Sequence, residues 1–462
     1  MGIFAKIICM RIHFIAIGGA VMHNLAIVLY RNGHLVSGSD DEIFEPSASR
    51  LAKHGLLPPE NGWHPEKIST DIDTIILGMH ARKDNPELIK AQEMGLKIRS
   101  FPEYLYEQTM NKKRVVIGGS HGKTTITSMI MHVLKSCGME FDYMVGSQVD
   151  GFDTMVNLSD NSEIAVFEGD EYLSSAIDPR PKLHLYKADI AVINGISWDH
   201  INVFPTFDTY LEQFRIFADT ISKNGKLMYY KDDALVKNIA KGAREDITLI
   251  PYNVHGYFQN RKGFFAATHS RIQKMEVFGE HNMQNLSAAK TVCSEIGISD
   301  DDFYQAIGSF KGSGKRMQLI SKSNSCAVYL DFAHAPSKVK ATVNAVAERY
   351  PRHRLIACLE LHTFSSLNED FLNNYKGSLD EADKSYVYYN PHALKLKKLQ
   401  MLDKQKVRQS FGNDSIMVTD DSDELFYKIN EEANPDTVYL FMSSGDFNGF
   451  DLGCFAEGLI KY

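Results

Sequence analysis

What the 462-residue chain lacks narrows the field first. It has six cysteines, Cys9, Cys137, Cys293, Cys326, Cys358 and Cys454, and no two are spaced as a CxxC pair. A disulfide framework or a structural zinc site is therefore not expected, and a reducing cytoplasm fits. No apolar run approaches the roughly 18 residues of a membrane span. Positive charge is not in excess: 50 Lys and Arg against 58 Asp and Glu leave a net charge of −8. That argues against a general nucleic-acid binder, although a local cluster of donors can hold phosphate inside an acidic protein. Glycine (32) and proline (14) are not enriched, and 44% of residues are hydrophobic, so disordered and fibrous chains are excluded. No repeat or low-complexity tract is present. At roughly 100–200 residues per domain the length predicts two to four domains.

The opening MGIFAKIICMRIHFIAIGG resembles a short signal peptide only superficially. Lys6 and Arg11 interrupt its apolar run and no A-x-A cleavage site follows. RIHFIAIGG reads instead as a buried strand entering a glycine turn, with Met10 an alternative start. From there one pattern recurs: an apolar strand, a turn, an amphipathic helix. Alternation of this kind predicts parallel sheets covered by helices. We expect an α/β chain of three doubly wound domains in series, at 11–110, 111–314 and 315–462. They would be Rossmann-like, P-loop ATPase-like and Rossmann-like, with Glu107–Lys113 as the first linker. In the helix after residue 122, Ile126, Met129, Ile130, Val133 and Leu134 share one face. The third block opens with a βαβ unit, strand Ala327–Leu330, helix 336–349 and strand Arg354–Leu359.

Polar clusters gather where strands end. Gly118-Gly119-Ser120-His121-Gly122-Lys123-Thr124-Thr125 follows a strand and opens a helix. Its glycines let backbone N–H groups wrap an anion, the helix N-terminus adds a positive dipole, Lys123 can neutralise β/γ-phosphate charge and Thr124 can ligate Mg²⁺. Ile117 stands where the strict P-loop pattern wants glycine, so the mechanism carries the reading rather than the pattern. Glu168-Gly169-Asp170-Glu171 ends the next strand and could hold Mg²⁺; alone it is equally a solvated acidic turn. Asn194 to His200 brings an Asp and a His to the same sheet edge. Gly279-Glu280-His281-Asn282-Met283-Gln284-Asn285 is, alone, also readable as helix capping. Arg316 and Asp331-Phe332-Ala333-His334-Ala335-Pro336 mark the edge of the third sheet. The first block carries Gly18, Gly19 and Ala20 after its opening strand and Ser39-Asp40 after its second, a partial dinucleotide-fold pattern without GxGxxG.

Together and in this order, the motifs resemble the Mur ligase family of peptidoglycan synthesis, from Arg11 to about Gly453. GSHGKTT is similar to the family's GTHGKTT, EGDE to EADE, and 194–200, 279–285 and 331–336 to NxxxxDH, GxHNxxN and DxxHxP; Lys315-Arg316 stands at an RR pair. The resemblance implies an ATP- and Mg²⁺-dependent amide ligase that activates a carboxylate as an acyl phosphate. It puts Gly119, Ser120, His121, Gly122, Lys123, Thr124 and Thr125 at the ATP phosphates and Asn282 and Asn285 at the adenine. Arg316 would meet the γ-phosphate, Asp331 the ribose, and His334 the reacting group. Thr124, Glu168 and His200 are the metal candidates, and Lys123, His200, Arg316 and His334 the catalytic ones. Gly18, Gly19, Ala20, Ser39, Asp40 and Asn85 are expected at the UDP-sugar, and Asp446 at the acceptor's far ammonium.

Residues 201–222 contain no lysine, as in the branch that uses UDP-N-acetylmuramate itself. Within it, one line adds L-alanine. The other, in recycling, adds the tripeptide L-alanyl-γ-D-glutamyl-meso-diaminopimelate. Tyr172, Asp178-x-Arg180-x-Lys182, Tyr186 and the DFAH of 331–334 resemble the recycling line. Residues 359–367, LELHTFSSL, match neither. The expected partners are these small molecules, with no nucleic acid and no membrane, and a monomer or weak homo-oligomer.

Overall fold

The computed structural model describes residues 9–461. Residues 1–8, on which the alternative start at Met10 turns, lie outside that range. The first sheet is four-stranded and parallel: Leu35–Ser39, Arg11–Ile15, Thr74–Leu77 and Ile98–Ser100 lie side by side in that order. Strand side chains alternate between faces. Ile12 and Phe14 pack with Leu25, Val28 and Leu105 on one side, while Ile15, Ile75 and Leu77 pack with Leu88 and Ala91 on the other. Both faces are covered, and the inner strand Thr74–Leu77 is buried along its whole length.

The first linker is shorter than expected. Helix Phe101–Gln108 occupies its beginning and strand Lys113–Gly118 its end. The start signal is local: Ser100 accepts from the Glu103 N–H while the Glu103 carboxylate accepts from the Ser100 N–H, a capping box.

The central sheet has seven strands, and Lys113–Gly118 runs in its middle between Ile164–Glu168 and Ile190–Ile193. The chain builds three strands on one side of this strand, the last of them beside it, and then winds outward on the other. Its carboxyl end is thus the point where winding reverses, the place where open α/β sheets bind ligands. Helix Lys123–Ser136 buries the predicted face against this sheet. A small antiparallel sheet, Tyr257–Asn260, Gly263–Ala267 and Ile272–Met275, follows and was not expected. Its outer strands, YFQN and IQKM, are too polar to read as buried runs.

The third sheet orders Gln318–Lys322, Ala327–Asp331, Thr437–Met442, Arg354–Leu361, Lys384–Tyr389 and Met417–Thr419 side by side. All pairs are parallel except the edge pair of Gln318–Lys322 with Ala327–Asp331. The expected three-part α/β architecture is what the chain adopts. One apolar core joins the second and third parts, with Met283 and Leu286 in the same cluster as Val339 and Val343.

Candidate active site

The loop after strand Lys113–Gly118 is shaped by two glycines in conformations that side chains disfavour, Gly119 at φ 124° and Gly122 at φ 78°. A Cβ on Gly122 would sit 2.2 Å from both Asn194 Nδ2 and Asn285 Oδ1. Without one, the two asparagines close over the loop and bond each other at 2.8 Å. Ser120 Oγ lies 2.8 Å from the Tyr210 hydroxyl and accepts the Ser197 N–H at 2.9 Å. Lys123 begins the helix. Its ammonium donates to the Gly119 carbonyl at 2.7 Å and pairs with Glu171 at 2.6 Å. Burial alone would lower its pKa, but Glu171, Asp170 and Glu168 outweigh burial and hold it above the usual lysine value.

Those carboxylates come from the end of strand Ile164–Glu168 and the turn beyond it. Glu168 accepts from the Thr124 hydroxyl at 2.8 Å and from the Gly146 N–H at 2.7 Å. Burial would raise the Asp170 pKa, but Lys182, at 2.6 Å, with Lys123 and His200, keeps it well below the carboxylate range. Glu171 also accepts from the Tyr210 hydroxyl at 2.9 Å and lies 3.7 Å from His200 Nε2. The His200 ring meets Tyr172 edge-on, centroids 5.2 Å apart.

The third sheet supplies the facing wall. Asp331 ends its strand and accepts from the Met317 and Ala333 N–H groups, both at 2.7 Å. His334 Nδ1 lies 2.9 Å from the Phe332 carbonyl, so that nitrogen carries the proton and Nε2 is left as an acceptor. Burial, reinforced by the Lys338 cation, pushes the His334 pKa down to about 3, so the ring is neutral at pH 7. The Arg316 guanidinium stacks 4.5 Å from the Phe332 ring centroid.

Two cavities meet at Arg316. The larger, about 950 Å³, is lined by His121, Gly122, Thr125, Asn282, Asn285 and Asp331 among others. The smaller, about 440 Å³, is lined by Val21, Thr124, Glu168, Lys182 and Phe332 among others, so all three parts of the chain reach it. Arg316 lines both. An anion in the first cavity and a carboxylate in the second would share one guanidinium between them.

The first-domain candidates sit to one side. The Gly18 N–H donates to Asp40 Oδ2 at 2.7 Å, and burial pushes the Asp40 carboxyl up to about 7. Gly19 precedes helix Ala20–Arg31, and the Ser39 carbonyl accepts from the Ala16 and Ile17 N–H groups. Asn85 is buried as the cap of helix Pro86–Glu93, its side-chain oxygen taken by the Glu87 and Leu88 N–H groups. None of these six lines either cavity, but Val21, next to Ala20, does. Asp446 is exposed and accepts the Gly449 N–H of its own turn at 3.1 Å.

Four residues have contacts that no motif foretold. Glu171, Tyr210 and Lys338 are built into the site by tertiary contacts. Glu360, buried at the end of strand Arg354–Leu361, accepts from the Ser443 hydroxyl and the Phe447 N–H and lies 3.6 Å from His362. A lone carboxylate inside the apolar run ACLEL was its signal. Among the described residues, no cluster of three or more His, Cys, Asp or Glu forms a metal cage. The oxygens of Thr124 and Glu168, side by side at the loop, suit a hard cation that takes few protein ligands and completes its shell with phosphate and water.

Three family models match successive stretches of the chain: "Mur ligase family, catalytic domain" over 11–113, "Mur ligase middle domain" over 117–293 and "Mur ligase, glutamate ligase domain" over 315–445. A UDP-N-acetylmuramate–L-alanine ligase of Caldanaerobacter subterraneus subsp. tengcongensis is 31% identical over 394 residues, 82% of either chain. The UDP-N-acetylmuramate–L-alanyl-γ-D-glutamyl-meso-2,6-diaminoheptandioate ligase of Escherichia coli is 27% identical over 395 residues, 83% of this chain and 86% of that one. In fold, the UDP-N-acetylmuramate-alanine ligase of Thermotoga maritima aligns over 98% of both chains with a TM-score of 0.70, at 20% identity.

Proposed function

This chain belongs to the Mur ligase family and is an ATP-dependent ligase of peptidoglycan synthesis. On that premise we propose that it joins the lactyl carboxylate of UDP-N-acetylmuramate to the tripeptide L-alanyl-γ-D-glutamyl-meso-diaminopimelate, releasing ADP and phosphate. The observation that carries the chemistry is Arg316 lining both cavities.

A carboxylate is a poor electrophile because it would have to expel oxide. On this reading ATP lies in the larger cavity, with its phosphates against residues 119–125, its adenine by Asn282 and Asn285 and its ribose at Asp331. The muramyl carboxylate enters the smaller one, with its UDP end toward Gly18, Gly19, Ala20, Ser39 and Asp40. The carboxylate oxygen attacks the γ-phosphorus, the bond to the β-phosphate oxygen breaks, and an acyl phosphate forms. Lys123 and Arg316 would offset the negative charge that accumulates there by preorganised electrostatics. Thr124, Glu168 and His200 would hold Mg²⁺, which supplies further charge neutralisation when bound. The tripeptide amine then attacks the acyl carbon and inorganic phosphate leaves. The amine loses a proton in this step, and we assign its acceptor as His334 Nε2, unprotonated, with Asp199 Oδ2 3.9 Å away to stabilise the imidazolium that burial disfavours.

The tripeptide is favoured over L-alanine by the segment 172–186. Tyr172 packs on His200 and its hydroxyl accepts from Asn202 Nδ2 at 2.8 Å. Arg180 is forked onto Asp178, and Lys182 is locked to Asp170. The residues that resemble the recycling line therefore brace the acidic strand end. Asp446 and the buried Glu360 stand at the third sheet's edge, where the far ammonium of the peptide would need carboxylates. L-alanine is the alternative, supported by the higher identity of the alanine-ligase relative. A cytoplasmic setting goes with both readings. Among the described residues no helix is long and apolar enough to cross a membrane.

The test is a direct comparison of acceptors. With ATP and UDP-N-acetylmuramate saturating, kcat/KM for the tripeptide should exceed that for L-alanine. The reverse order would transfer the assignment to the alanine ligase.

A further inference from the structure

Lys338 lies in the larger cavity, and the scheme above leaves it unused. It is the third residue of helix Pro336–Arg349, on the turn where unpaired backbone N–H groups and the helix dipole already favour an anion. Its side chain is 19% exposed. The ammonium carries three donors, yet among the described residues its one ion pair is with Asp199 Oδ2, at 3.4 Å. Asp199 comes from the central domain and Lys338 from the third, so this pair spans the boundary between them. Around the pair the two domains also touch through the Ile201 N–H to the Ser365 hydroxyl, at 3.4 Å, and through Trp198 against Phe371.

The charges nearby explain what such a lysine is for. Burial presses its pKa down, Asp199 opposes burial, and Lys123 and Arg316 press it down further. Two side-chain cations of the third domain, Arg316 and Lys338, thus line one cavity, and Lys123 of the central domain is near enough to press on Lys338. Like charges held close in a partly desolvated site repel one another. A polyanion entering the cavity turns that repulsion into attraction to both lining cations.

We propose that Lys338 is a triphosphate-binding residue, held by Asp199 until nucleotide arrives and then donating to the terminal phosphate oxygens. Contact from the third domain to a nucleotide bound on the central domain ties closure of the site to the presence of the full triphosphate. The inference rests on the ATP-dependent activity and is indifferent to which acceptor is used.

The test is equilibrium binding by calorimetry to the full-length chain, with Mg²⁺ present, using a non-hydrolysable ATP analogue and AMP as probes. Lys338→Met should weaken the analogue by about tenfold or more, the range for losing a charge-assisted contact to phosphate, and leave AMP within about twofold. The KM for ATP in the ligase assay should rise alongside. If Lys338→Met does not fold, Lys338→Gln carries the same comparison. Unchanged affinity for the analogue would overturn the proposal. So would an equal loss for AMP and the analogue, which would make Lys338 a wall of the cavity rather than a phosphate ligand.

Discussion

The chain builds the same local device twice, a strand, a glycine turn and a helix, and gives the two copies opposite electrostatics. In the first, after strand Arg11–Ile15, neither Gly18 nor Gly19 takes a left-handed conformation. The turn's Gly18 N–H is bonded to a carboxyl of the protein itself, Asp40. In the second, after strand Lys113–Gly118, two glycines are left-handed, the helix opens on Lys123, and the loop is closed by Asn194 and Asn285. A strand–turn–helix unit is therefore only a frame. The charge it presents is decided by the first helical residue and by what stands on the neighbouring strand ends.

The largest effect is expected at Lys123. Lys123→Met should cut phosphoryl transfer by at least ~10²-fold, as removal of one preorganised charge does. The sequence alone suggests a lysine on an open loop, removable without harm to the fold. The structure shows it paired with Glu171, whose side chain is 1% exposed. Lys123→Met therefore leaves a buried carboxylate short of its counter-ion, and stability should fall by roughly 3 kcal/mol. Lys123→Met combined with Glu171→Gln should recover most of that stability in denaturant titration and none of the activity. Full stability of the single variant would contradict the buried pair.

The next test sets the two turns against each other. Gly122→Ala needs a left-handed alanine and a Cβ overlapping Asn194 and Asn285, and should cost about 3 kcal/mol together with ATP binding. Gly18→Ala puts a Cβ 2.9 Å from Asp40 Oδ2 with no positive φ. It should cost about 1–2 kcal/mol and weaken UDP-N-acetylmuramate before ATP. Equal losses in both ligands for both variants would erase the distinction.

The smallest effect is in pH dependence, and the two regions should slope in opposite directions. His121 and His334 are held neutral by burial, at about 4 and about 3 against 6.5 when unfolded. Between those values the unfolded chain binds more protons, so their contribution is present above pH 6.5 and is lost as pH falls toward 4. Asp40 is raised from 3.8 to about 7, so its contribution is present below 3.8 and is lost as pH rises through 7. Thermal melts should therefore show the free protein losing stability below pH 6.5. Asp40→Asn should gain on the wild type between pH 5 and 8. A pH-independent difference would mean that Asp40 is not raised.

How much of this could be read in the sequence followed from how local each feature is. The strands of the parallel sheets were legible because burial on both faces makes them unbroken apolar runs, as in Val115–Ile117 and Ile190–Ile193. The glycine loop was legible because all its parts are contiguous from Gly118 to Thr125. Glu171 was quoted with its motif but its role was not, since its partners Lys123 and Tyr210 are set by the sheet order. Ser120 and Tyr210 meet across 90 residues of chain. Lys338 had no signal at all: a lysine one turn into a helix is ordinary until Asp199 and Arg316 are placed around it. Helix Phe101–Gln108 was missed despite a capping box in plain view, because it is only eight residues long and follows a three-residue strand.

The most direct measurement of the central claim follows ADP release by the purified chain with ATP and Mg²⁺, adding UDP-N-acetylmuramate and the tripeptide separately and together. If the two cavities communicate through Arg316 as described, sustained ADP release needs both, and the product is the UDP-muramyl peptide in equal amount. ADP released at the same rate from ATP alone would contradict the account, because phosphoryl transfer would then not require a carboxylate in the second cavity.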